Sequence, residues 1–96
     1  MSSGSITISR VAKELGLSIE EAERRAIELL VRDELRKVIA EKQLILNKYK
    51  VSSFEELMDK VEAGELSDVD IHDDIVRLDY LEYREKSLRK MLKELV

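Results

Sequence analysis

Asp68-Val-Asp-Ile-His-Asp-Asp74 is the run in this 96-residue chain whose side chains come nearest to metal-ligand chemistry. Asp68, Asp70 and His72 alternate, and together would offer carboxylate oxygens and an imidazole nitrogen. Carboxylates also collect where a helix begins, because free amides and the macrodipole favour negative charge there. The run lacks the glycine and closing glutamate of a calcium loop. The helix-start reading is therefore preferred, with His72 at the surface beside acids. Other reactive chemistry is sparse: one histidine, no cysteine and no glycine-rich phosphate loop. Serines stand mainly where helices start, and capping accounts for them. The expectation is a protein that is not an enzyme and takes neither metal nor cofactor.

The second group of interest is Ser5-Ile-Thr-Ile-Ser9 with the cations that follow it. The run alternates polar and apolar, the period of a strand with one buried face. Five residues make no sheet alone, so such a strand calls for a partner, most economically its own copy in a homodimer. Thr7 and Ser9 on its polar face, with Arg10 and Lys13 beyond, form a candidate DNA-binding set. In that set Thr7 and the flanking serines read a groove while cations, Arg24 and Arg25 included, meet phosphates. Glutamates at 14, 20, 21 and 23 dilute that charge.

The elements that must position these residues are helical. Charged residues make up 40% of the chain and aromatics 4%, a balance suited to long solvated helices rather than a thick core, and there is no proline to interrupt them. A chain of this length buries a modest share of its surface, which favours association. Residues 1–4 are expected to be a disordered leader. Ser9 can cap a short helix over Arg10–Leu15 that ends at Gly16 in the left-handed conformation. Ser18-Ile-Glu-Glu21 is a capping box. From there Ala22, Ala26, Ile27, Leu30, Val31, Leu35, Val38, Ile39, Ile45, Leu46 and Tyr49 recur at three- and four-residue spacing. About 30 helical residues span roughly 45 Å, too long for a compact globule of this size, so the helix must break or be covered by a second chain. Asn47–Ser52 is the expected break. Ser53-Phe-Glu-Glu56 is a second capping box, opening a helix over Phe54–Ala63 that Gly64 stops.

A last helix, from about Ile71 to Leu95, carries two apolar faces. At 100° per residue Ile71, Ile75, Leu78, Leu81, Leu88, Leu92 and Leu95 share one side. Val76, Tyr80 and Tyr83 lie on roughly the opposite side and are read as a contact surface for a partner protein. Phe54 and Leu57 are secondary partner-binding candidates. Residues 5–50 are thus a dimerisation and possible DNA-binding region, and 51–96 a helical, partner-binding tail. Residues 1–50 hold ten Lys/Arg and eight Asp/Glu, and residues 51–96 hold seven and thirteen. The first part tolerates a polyanion; the second attracts a basic protein. No apolar run approaches a membrane span and no signal segment is apparent, so the cytoplasm is the expected location. Heavy use of Glu, Lys, Arg and Ile without Cys fits a thermophilic source.

Ala12-Lys-Glu-Leu-Gly-Leu-Ser-Ile-Glu-Glu-Ala-Glu-Arg-Arg-Ala-Ile27, preceded by Ile6-Thr-Ile, resembles the ribbon-helix-helix family of dimeric DNA-binding proteins. The likeness rests on Leu15-Gly16, the Ser18 cap and Ala26-Ile27. The same residues also match a helix-turn-helix, with Ala12 and Gly16 at suitable spacing and Arg25 where an apolar residue is usual. Further on, Lys48-Tyr49, Ser53-Phe-Glu-Glu-Leu57, Gly64-Glu-Leu66, an acidic stretch and Asp79-Tyr80-Leu-Glu82 resemble the tails of archaeal and other prokaryotic type II antitoxins of the VapB-like kind. What this implies is a mainly α protein: a short N-terminal strand, as in a ribbon-helix-helix dimer, then a long helix and a helical C-terminal tail. The tail would neutralise a cognate toxin, often a PIN-domain ribonuclease, while the N-terminal part represses the operon by binding operator DNA. The alternatives are a stand-alone ribbon-helix-helix regulator and a structural helical dimer with no nucleic-acid role.

Overall fold

The computed structural model describes residues 6–66 and 68–95. Four helices follow in order: α1 (Ile8–Leu15), α2 (Ile19–Lys48), α3 (Phe54–Glu62) and α4 (Asp68–Leu95). The mainly helical expectation holds, but the expected strand over Ser5–Ser9 does not. Among the described residues there is no strand; Ile8 and Ser9 lie inside α1, Ile6 and Thr7 lead into it, and Ser5 is outside the described set. The physical reason lies in the same residues. Ile8, Val11, Ala12 and Leu15 stand at helical spacing, and that longer pattern overrides a two-residue period with no partner strand. Thr7, rather than Ser9, is the cap: its backbone is extended, and its hydroxyl accepts from the Arg10 amide at 3.3 Å. The ribbon on which a ribbon-helix-helix dimer would be built is therefore absent from these residues.

Local signals set the remaining boundaries. Gly16 ends α1 at φ +69, a left-handed conformation that costs glycine nothing. The Gly16 and Leu17 amides close on Lys13 and Ala12 carbonyls. Ser18 and Glu21 form the full reciprocal capping box, at 3.1 and 3.2 Å. At the next helix start Ser53 caps the Glu56 amide, but the Glu56 carboxylate turns to the amide and hydroxyl of Ser52 instead. Helix α2 runs its expected length and stops at Lys48, inside the expected break. Lys50 then takes φ +57, and Val51 folds back so that its amide reaches the Leu46 carbonyl. The chain thus turns sharply enough for α3 and α4 to return along α2.

Helices α2 and α4 run antiparallel, as their cross-links show: Lys48 meets Asp74, Lys42 meets Glu82 and Glu85, and Glu34 meets Arg84. Two apolar clusters lie between them. Near the turn, Leu46, Val51, Leu57, Ile71 and Leu78 are buried together, with Phe54 packed against them. Farther along, Leu35, Val38, Leu81 and Leu88 are buried, with Val31 and Leu92 at the edge. Long α2 is therefore covered by the chain's own α4 rather than by a second chain, but only from about Val31 onward.

Beyond that point α1 and the first three turns of α2 project as an arm. The molecule measures 59 × 30 × 17 Å, with a radius of gyration of 19.7 Å. A compact domain of this length would have about 12–13 Å. Within the arm only Ala12 and Ala22 are buried.

Left-handed backbone at a residue with a Cβ costs on the order of 1 kcal/mol. Lys50→Gly is accordingly expected to stabilise the protein by roughly 0.5–1 kcal/mol, read as a higher urea midpoint. An unchanged or lower midpoint would show that the turn carries no such strain.

Candidate protein-binding surface

The outer side of α4 is exposed because its inner side is fully used. Ile71, Leu78, Leu81 and Leu88 are buried against α2 and α3, which fixes the helix's rotation. Val76, Tyr80 and Tyr83, at spacings of four and three, are left facing solvent, 56%, 48% and 69% exposed. The expected two-faced helix is what the structure shows. The Arg77 guanidinium stands 5.2 Å from the centre of the Tyr80 ring and is itself held by Glu41, with Nη2 donating to Oε1 at 2.8 Å. Tyr80 is thereby tied to α2 through two side chains. Tyr83 borders two shallow clefts, one with Asp79, Glu82 and Lys86, the other with Lys86, Ser87 and Lys90.

Ionic contacts hold this helix at its height along α2. Lys42 is mostly buried and donates to both Glu82 and Glu85 at 2.9 Å. Burial opposes its charge, but hydrogen bonds to Glu85 and Glu82 outweigh that, and its pKa is raised. Glu85 is held below the usual carboxylate range by the hydrogen bond from Lys42, against burial, with Arg89 assisting at 2.9 Å. Nearer the turn, Asp74 accepts from Lys48 at 2.8 Å and from the Tyr49 hydroxyl, and these bonds lower its pKa. Burial and the bond to Asp74 raise that of Tyr49. Apart from the Glu85–Arg89 pair within α4, each joins residues 25 or more apart in sequence, and none of those was visible as a pattern.

The other candidates divide clearly. Leu57 is fully buried in the core, and Phe54, partly buried, packs on the same cluster. Thr7 caps α1, and Ser9, Arg10 and Lys13 are exposed on that helix. They are brought together, but on a helix flank rather than a ribbon. His72 is exposed, as expected beside acids. The Asp68 and Asp70 side chains lie outside those described. Among the described residues no three His, Asp or Glu side chains gather at one point. No described helix is long and apolar enough to cross a membrane.

The sequence reading missed the exposed apolar residues of the arm. Ile27 and Leu30 were assigned to the covered stripe of α2, yet both face solvent, as do Leu15, Ile19 and Leu29. The signal was present: Ile27, Leu29, Leu30 and Val31 are too closely spaced to share one face.

The lowered pKa values of Asp74 and Glu85 fix a pH dependence. Folded-state values below the unfolded ones contribute stability that is present above the ordinary carboxylate range of about 4. It is lost as pH falls through the lowered values. Lys42→Gln is expected to cost about 1–2 kcal/mol at pH 7, discounted for partial exposure, and to flatten the acid decline in urea denaturation. An identical acid slope in the variant would contradict the coupling.

Comparison with known proteins places the chain in a family. The sequence profile of the uncharacterized protein MJ0235 family matches residues 1–96, and the chain belongs to that family. It is 35% identical over 63 residues to the uncharacterized protein MJ0235 of Methanocaldococcus jannaschii, covering 66% of this chain and 77% of that relative. No solved structure matches.

Proposed function

We propose that this member of the MJ0235 family is the antitoxin of a toxin–antitoxin pair, and that it binds its toxin through the outer face of α4. The observation that carries this reading is the exposed Val76–Tyr80–Tyr83 stripe on a helix whose opposite face is locked in the core. Tyrosine supplies large apolar area at small entropic cost, with a hydroxyl for the wet rim of an interface. A rigid helix presenting such residues loses little freedom on docking.

Charge supports a toxin that acts on RNA. Residues 51–82, which carry α3 and the first half of α4, hold eleven acids and two bases. An enzyme that grips a polyanion needs a cationic site. An acidic surface with an aromatic stripe suits occupation of such a site, and a PIN-domain ribonuclease is the assigned partner by the likeness of the tail. In this reading the chain does no chemistry of its own and works in the cytoplasm.

A stand-alone transcription regulator is the second reading. It is favoured by α1 and α2 being joined through Gly16, with Ala12 and Ala22 buried between them and Arg10 and Lys13 exposed. It ranks second because Glu20, Glu21 and Glu23 crowd the first turns of α2 and repel phosphates.

The test is titration calorimetry against the protein encoded by the adjacent gene. Tyr80→Ala combined with Tyr83→Ala is expected to weaken binding by about 100-fold or more, with the melting temperature almost unchanged because both side chains are exposed. No complex with the unmodified chain, or full affinity in the double variant, would overturn the reading.

A further inference from the structure

Exposed apolar surface is concentrated at one end of the molecule. Ile6, Ile8, Leu15, Ile19, Ile27, Leu29 and Leu30 all lie within residues 6–30, and they make up seven of the twelve exposed large hydrophobic residues among those described. None is covered by α4. On α2 they spread over about half of the helix's circumference rather than a narrow stripe. Ile8, Leu15 and Leu29 border the cleft where α1 meets α2, together with Val11, Leu17 and Ala26. Ile19, Leu30 and then Ile27 continue round α2 from that cleft by the helical period.

We infer that this arm is the dimer interface, and that its occupant is the arm of a second copy of the chain. Area is the first argument. The seven exposed fractions add to about four whole side chains, or on the order of 500 Å² of apolar surface by the usual transfer scale. A standard stable interface buries about 800 Å² per partner, of which roughly 60% is apolar. With all seven covered, the arm supplies most of that share.

Charge is the second argument, and it selects the partner. Residues 8–30 hold five acids, Glu14, Glu20, Glu21, Glu23 and Glu28, and four bases, Arg10, Lys13, Arg24 and Arg25. A surface so nearly balanced meets its own copy without repulsion, whereas a polyanion would meet the glutamates. Two-fold pairing uses the same patch on both sides, so each acid–base contact between the arms is made twice. The third argument is support. An arm that buries only Ala12 and Ala22 gains little from its own packing, and a helix of eight residues is marginal alone. A second arm laid across the first covers several sides of both.

Dimerisation through the arm leaves the outer face of α4 free, since α4 ends before the arm begins. The inference is therefore independent of the toxin-binding reading, and the two fail separately.

Sedimentation equilibrium of the full chain tests it. The unmodified protein is expected to sediment at twice the 11.1 kDa chain mass. Leu29→Glu with Leu30→Glu is expected to halve that mass while helical circular dichroism persists, because the α2–α4 core is untouched. Tyr80→Ala with Tyr83→Ala is expected to leave the dimer intact. A monomeric unmodified chain overturns the inference, as does a dimer that survives the arm variant or yields to the tyrosine variant. The chain has no cysteine, so cross-linking gives a second reading that needs no loss of stability. Under mild oxidation Leu29→Cys is expected to form covalent dimers, and Leu44→Cys, exposed at the other end of α2, is not. The reverse pattern, or equal cross-linking, overturns the inference.

Discussion

Antiparallel packing of α4 on α2 is the interaction from which the other features follow. Leu46, Leu78 and Leu81 are removed from solvent between the two helices, and burial of side chains that size is worth about 1.5–3 kcal/mol each. Long helices in water draw their stability from such a face rather than from propensity. Because the packing fixes which side of α4 points inward, it also fixes which side points out. Val76, Tyr80 and Tyr83 are exposed as a consequence, in a defined row and on a supported backbone. The ionic contacts of Lys42, Lys48 and Glu34 set the height of one helix against the other without supplying the main energy.

Height along the axis decides the rest. The turn after Lys48 and the short α3 hold the start of α4 beside the C-terminal end of α2, so α4 runs out at about the level of Val31. The leading turns of α2 and all of α1 pass beyond it. Two different surfaces therefore belong to one chain: an acidic stretch carrying an aromatic stripe, and a charge-balanced apolar arm. Their separation allows one to serve a partner protein and the other a second copy, with no competition for the same residues.

What could be seen in the sequence was what is decided locally. Gly16 ends a helix because only a left-handed residue closes that turn. Ser18 and Glu21 start one because each satisfies the other's amide. The two faces of α4 were legible because a 28-residue helix repeats its pattern often enough to separate them. Ile8 was not legible in the same way. It fits both a two-residue and a helical period, and the longer run through Val11, Ala12 and Leu15 decided the outcome. Leu57 and Phe54 looked alike as apolar residues at a helix start; only packing against Leu46 and Leu78 shows that both belong to the core. The pairing of Lys42 with Glu82 and Glu85 depends on the register of two helices 40 residues apart, which no local pattern encodes. For the same reason the extent of the uncovered arm could not be read from the composition of α2.

Some contact segments acquire their order only on a target, and α4 presents a different physical case. The face of α4 that would meet a partner is held ready by the burial of its other face, so ordering is completed during folding rather than at binding. The most direct measurement of that claim is amide hydrogen exchange on the isolated full chain. Amides from Leu78 to Leu88 are expected to exchange slowly, with protection matching that of Leu35 to Leu46 in α2, because the two helices open together. Exchange of α4 at the rate of an unstructured peptide while α2 stays protected would contradict the account.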